Sequence, residues 1–176
     1  MIKSIIKVLL FIGIFSTIAS AQLNANDFKK FQLKALKKAD KFGVFVWDIE
    51  IAKSDTMLAK SFASDTLINY IDNKLTTSGL TPVTFDEAGD LPGGPSLDVH
   101  TVTCQDTITN KVACNISVRF VQDVQLTRNV RIMHYSATTW TKNNVFVSEK
   151  DSLISNYYFE LDKLLEDFVQ DYKSAN

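Results

Sequence analysis

In the run SLDVHTVTC, Asp98 and His100 stand two positions apart, a spacing that puts both on one face of a β-strand, where a carboxylate can orient an imidazole for general-base work. Hydrolysis by such a pair also needs a positioned nucleophile, and the nearby Ser96 is a common loop residue rather than a motif. The second histidine, His134, falls on a later strand, about 10 Å away with a strand between, so a shared metal is not expected. The only cysteines, Cys104 and Cys114, have nine residues between them. That is neither a zinc spacing nor the C-x-x-C of redox catalysts. In an oxidising compartment two such thiols are expected to pair as a clamp on a hairpin. Pleat parity opposes the pairing, because Cys104 falls with Asp98 and His100 while Cys114 falls with Ile116, Val118 and Phe120. A one-residue shift near Cys104 is required to bring the sulfurs together. Pro92-Gly93-Gly94-Pro95 lacks the spacing and following helix of a phosphate loop, and neither a cofactor nor a metal site is expected.

The elements that must position these residues are legible in the patterning. Phe28, Phe31, Ala35, Ala39 and Phe42 recur at helical spacing opposite Lys29, Lys30, Lys34 and Lys37, predicting a basic amphipathic helix over residues 26–42. Its lysines either lie in solvent or touch an anionic membrane or an acidic partner. GVFVWDIEI, Gly43 to Ile51, reads as an interior strand, with Phe45, Trp47, Ile49 and Ile51 on one face. Phe62, Leu67, Ile68, Ile71 and Leu75 mark a helix ended by Gly79. A short strand LTPVTF and a loop over Asp86 to Ser96 follow. Three strands, Leu97 to Thr103, Val112 to Leu126 and Val130 to Thr141, then form an antiparallel meander. A long helix closes the chain, with Ser148 and Asp151 as its capping pair and Ile154, Tyr157, Tyr158, Leu161, Leu164, Leu165, Phe168 and Tyr172 as its buried stripe. Glu160, Asp162, Glu166, Asp167 and Asp171 are expected to face outward, and Phe159 to point away from the stripe as a partner contact.

The amino terminus discloses a compartment. Lys3 and Lys7 precede an apolar run from Val8 to Phe15 and an Ala19-Ser20-Ala21 site, so residues 1–21 read as a signal peptide cleaved before Gln22. The expected product is soluble and periplasmic or secreted. Its net charge of −1 for the whole chain is too mild to predict nucleic-acid binding, and 45% hydrophobic residues suffice for one ordinary globular core.

The run VQLTRNVRIMHYSATTWTKNN, with SLISNYYFELDKLLEDFVQDYKSAN after it, resembles an uncharacterised family of small exported bacterial proteins. Its members show an L-x-R-N strand end, an A-T-T-W segment and a closing D-L-x-x-x-F-x-x-D-Y-x-x-x-N helix. The matching positions are Leu126, Arg128 and Asn129, then Ala137 to Trp140, then Asp167, Phe168, Asp171, Tyr172 and Asn176. The resemblance spans residues 40–176 and implies an exported domain without an assigned activity; Cys104 and Cys114 are not part of its pattern. Thr138, Thr139 and Trp140 end a predicted strand, where hydroxyls and indole either complete the sheet end or form a ledge for a sugar or peptide.

Together these readings predict an α+β domain over residues 43–176, preceded by the basic segment 22–42, with a mostly antiparallel twisted sheet (β-α-β, then the meander) packed by a central and a carboxy-terminal helix. The expected function is a non-enzymatic module that binds or scaffolds another envelope protein. A small-ligand or glycan-binding domain, with Trp140, Thr138, Thr139 and Phe159 at its rim, is the first alternative, and a small hydrolase using His100 and Asp98 the second. The oligomeric state is not encoded in any pattern found.

Overall fold

The computed structural model of the chain describes residues 25–37, 39–47, 49, 56–106, 108–126 and 129–176. The expected signal peptide and cleavage point, Gln22 and Ile51 lie outside those residues. In chain order the elements are α1 (Ala25–Leu36), β1 (Phe42–Val46), α2 (Thr56–Ser61), α3 (Ser64–Thr77), β2 (Pro82–Val83), α4 (Phe85–Gly89), β3 (Ser96–Asp106), β4 (Lys111–Leu126), β5 (Asn129–Glu149) and, after one 3-10 turn (Lys150–Ser152), α5 (Leu153–Ala175). The class is α+β. The sheet is mixed, in the order β2-β1-β3-β4-β5, with β1 parallel to both β2 and β3 and the long β3-β4-β5 meander antiparallel.

Alternation divides the meander into two unlike faces. On the front, Leu97, Val99, Val112, Cys114, Ile116, Val118 and Phe120 are buried under α3 and α5. The α5 stripe lies where its spacing requires, with Tyr157, Leu161, Leu165 and Phe168 in the core. Phe42, Phe120 and Phe168 meet at centroid distances of 5.6 to 5.9 Å, in the edge and stacked geometries that aromatic rings favour. Helix α3 buries Leu67, Ile71 and Leu75 and ends as its glycine dictates. Gly79 takes φ 83°, its N–H bonds Thr76 O, and the Leu80 N–H reaches back to Leu75 O, a Schellman close.

Several expectations are corrected. The helix expected from Phe62 is broken at Ala63, whose ψ of 135° separates α2 from α3 and leaves Phe62 buried at the joint. The strand expected over 43–51 stops at Val46: Ile49 is buried and Trp47 exposed, so the alternation does not continue. The front of the expected 86–96 loop is α4, started by a complete capping box between Thr84 and Glu87. Strand β5 runs through the expected turn at 141–144, because Lys142 and Asn144 find partners on α5 in Asp167 and Glu160. Ser148 is therefore a strand residue bonded to Glu149, Ser152 and Asn156, and the predicted Ser148–Asp151 cap does not form.

Helix α1 ends at Leu36 rather than Phe42, and Phe31 is exposed while Gln32 and Leu36 are inside. The docked face is fixed by what the carboxy-terminal end of α1 and the segment after it bond. The Gln122 amide donates to Ala35 O at 3.1 Å, the Asn176 amide to Leu36 O at 3.2 Å, and the Tyr172 hydroxyl to Ala39 O. The segment thus packs on α5 and β5.

Candidate functional site

Trp140 is not at a rim. Its ring has no exposure, stacks edge-on to Phe168 at 5.1 Å, and donates Nε1–H to Asp171 Oδ2 at 3.1 Å. Asp171, expected outward, is accordingly buried, and Lys29 Nζ lies 3.6 Å from its other oxygen. Thr139 is the extra residue of a β-bulge, since Phe120 pairs with Trp140 while Val121 pairs with Thr138. Its hydroxyl donates to Phe120 O and accepts from the Gln122 amide that also holds Ala35. Thr138 is exposed, and Phe159 lies in solvent on α5 under Lys163, 4.0 Å from its centroid. The four expected rim residues do not converge, and a glycan ledge does not form for a physical reason: its indole is core.

The disulfide is corrected as well. The β3–β4 ladder runs without a shift, with Thr103 opposite Cys114 and Cys104 opposite Ala113. Cys104 is exposed on the back face and Cys114 buried on the front, and both thiols are free. Burial among apolar side chains pushes the Cys114 thiol up to about 12.

Asp98 and His100 do share the back face, as their spacing requires, but no hydrogen bond joins them. Asp98 Oδ1 accepts from Ser96 Oγ at 2.7 Å, and His100 meets the edge of Trp47 at 6.0 Å. Register sets Ser117 across from His100 and Asn143 beyond it, a polar neighbourhood visible only once the strands are aligned. His134, opposite Val124, is seven β4 residues from the Ser117 position, about 20 Å along the strand. The distance expected from the sequence is half that, because the hairpin is longer than its patterning implies. Among the described residues no three His, Cys, Asp or Glu side chains cluster as metal ligands.

Two surface features collect side chains that no sequence pattern joins. The first is a cleft of about 690 Å³ between α3 and α5, floored by Leu75, Leu165 and Val169. At its wall Asp162 receives the Tyr70 hydroxyl at 2.6 Å and Lys74 at 2.8 Å. Burial, then the Asp162 carboxylate, raise the Tyr70 pKa, and the same carboxylate raises that of Lys74. The second is the back face of the sheet. Helix α4 covers it only over β1, where Gly43 admits Ala88 and the backbone of Phe85. Phe85, Phe45, Trp47 and His100 then form an aromatic line across β1 and onto β3, with centroids 5.2, 5.3 and 6.0 Å apart. Beyond it Val102, Val145 and Val147 are 53%, 65% and 64% exposed. Toward the centre of that face Asn115 Oδ1 and Arg119 Nε are buried without a hydrogen-bond partner.

The lysines expected to touch a membrane or partner are exposed, Lys29, Lys30 and Lys34 on α1 and Lys37 in the turn after it, where it borders a cleft of about 470 Å³ with Lys41, Pro92 and Gln122. No described helix is long and apolar enough to cross a membrane.

No protein-family model, curated protein or solved structure matches this chain.

Proposed function

We propose that this chain is an exported, non-enzymatic binding module of the cell envelope that engages another envelope protein through the back face of its sheet. One observation carries the reading: α1, α3 and α5 pack on the front of the sheet, while Trp47 and Val102 stand exposed on the opposite face beside Val145 and Val147. Contiguous apolar side chains on a sheet face mark interaction surfaces in soluble proteins, and the buried unpaired Asn115 and Arg119 atoms offer polar contacts beside them. The leader-like amino terminus and the resemblance to an exported bacterial family support the compartment. Photo-crosslinking residues placed at Val102 and at Trp47 in cells should each yield the same protein adduct. The same probe at the exposed Ser155 on α5 should not. Adducts no stronger at Val102 and Trp47 than at Ser155 would reject the reading.

The α3–α5 cleft supports a second reading, a site for a small apolar ligand, because its floor is aliphatic and its volume lies in the range of ligand pockets. Val169→Trp should fill that cleft and abolish binding of a ligand found by screening, with the Val102 crosslinks unchanged.

A further inference from the structure

We infer that two copies of this chain pair antiparallel along the outer edge of β5, centred on Phe146, to form one continuous sheet. Among the described residues β5 is one of the sheet's two edge strands, the other being the short β2, and its direction of hydrogen bonding is fixed at both ends. The Lys150 N–H bonds Asn110 O in the β4 turn at 3.2 Å, and Thr141 O instead accepts from Gln32 of α1 at 3.4 Å. The register from Trp140 to Glu149 has no shift, so alternation sends the backbone groups of Asn143, Val145, Val147 and Glu149 outward, away from β4.

Sheet edges in soluble proteins are guarded by charge, proline, a bulge or brevity. The segment Asn143 to Ser148, NNVFVS, has no charge and no proline, and the β5 bulges lie elsewhere, before Trp140. Helix α1 limits the free edge at Thr141, which selects the register: a two-fold axis at Phe146 uses only residues 143–149. It opposes Val145 to Val147 of the second copy and Asn143 to Glu149, each a pair whose outward N–H and C=O groups face one another. On the front flank Glu160 is already neutralised by Lys163 at 3.0 Å and bonded to Asn144, so α5 brings no unpaired carboxylate to the axis. The pairing requires no foreign sequence, and the edge complements itself.

The test is sedimentation of the exported protein with the variants Val145→Lys, Val147→Glu and the two combined. The wild type should dimerise, each single variant should weaken the dimer at least tenfold, and the double variant should recover it, because each introduced lysine then meets an introduced glutamate across the axis. Amide exchange on the wild type gives a readout free of any folding defect. The outward amides of Asn143, Val145, Val147 and Glu149 should slow with rising concentration, while those of Asn144, Phe146 and Ser148 do not change. A wild type that stays monomeric at tens of micromolar overturns the inference. So does a dimer that both single variants leave intact, or whose protection ignores the odd and even alternation. The amide-exchange arm uses the wild type and is independent of the back-face crosslinks at Val102 and Trp47, whereas Val145→Lys and Val147→Glu also alter that face.

Discussion

Cys104 and Cys114 lie on adjacent strands of one sheet, yet the pleat gives them opposite fates. Cys104 is exposed and Cys114 is sealed in the core with its thiol held protonated, pushed up to about 12. Alkylation requires the thiolate and access to it, so at pH 8 one equivalent of iodoacetamide should react quickly, at Cys104, and the second only after denaturant is added. Peptide mass spectrometry checks the assignment, and rapid labelling of both would contradict the ladder. The indole of Trp140 makes a sharper case. Trp140→Phe keeps most of the ring but leaves Asp171 buried without its donor, and should cost about 2 kcal/mol by chemical denaturation. Trp140→Ala should cost about 3–5 kcal/mol, as large aromatic deletions do. A ligand-stacking tryptophan would show neither loss.

At the scale of elements, α4 reaches the sheet through a single missing side chain. A Cβ on Gly43 would lie 2.9 Å from the Ala88 Cβ and 3.2 Å from the Phe85 backbone, so Gly43→Ala should destabilise by about 1–3 kcal/mol. Ala88→Gly in the same chain should return part of that loss, giving a coupling energy in a double-mutant cycle that two unrelated defects would not. Sequence patterning stops being informative at this same helix. Period-two and helical repeats locate β3, β4, α3 and α5, because those elements bury one regular face and their spacing records it. Helix α4 has too few residues to repeat anything, and the glycines after it make the segment read as loop. The carboxy-terminal half of β5 escapes the pattern because Lys142 and Asn144 are polar on the core side, and only the α5 carboxylates that receive them explain it. Phe31 departs from its expected place by one helical step because α1 is oriented by hydrogen bonds from Gln122, Asn176 and Tyr172, residues far away in sequence. The cleft and the back face are illegible for the same reason: each is assembled from elements whose adjacency is tertiary.

The whole molecule responds to pH through groups whose protons the fold retains. Cys114 is raised by burial, and Tyr157 is raised chiefly by burial despite its 3.0 Å bond to Thr101, which lowers it. Tyr70, Tyr158 and Tyr172 are raised as well, each mainly by desolvation. The sign follows from linkage. For a group whose folded pKa lies above its unfolded value, stability is intact below the unfolded pKa and declines as pH rises through the window between the two. The Cys114 window opens near pH 9 and closes near 12. Between pH 8 and 10.5 its contribution should fall by about 2 kcal/mol, at about 1.4 kcal/mol per pH unit above the unfolded value. The tyrosines begin to add to that loss only above about pH 10. Two slopes should therefore appear in urea titrations taken every half unit: a shallow one starting near pH 9 and a steeper one above 10. Cys114→Ala should abolish the first and spare the second, whatever its offset at neutral pH. Tyr157→Phe should leave the first and reduce the second. Because both groups sit in the core that β3 and β4 share with α5, their deprotonation drains the stability of the same cooperative unit. Loss of secondary structure and exposure of the Cys114 thiol should then coincide across the transition, and an early thiol exposure would instead mean that β4 opens before the rest of the fold.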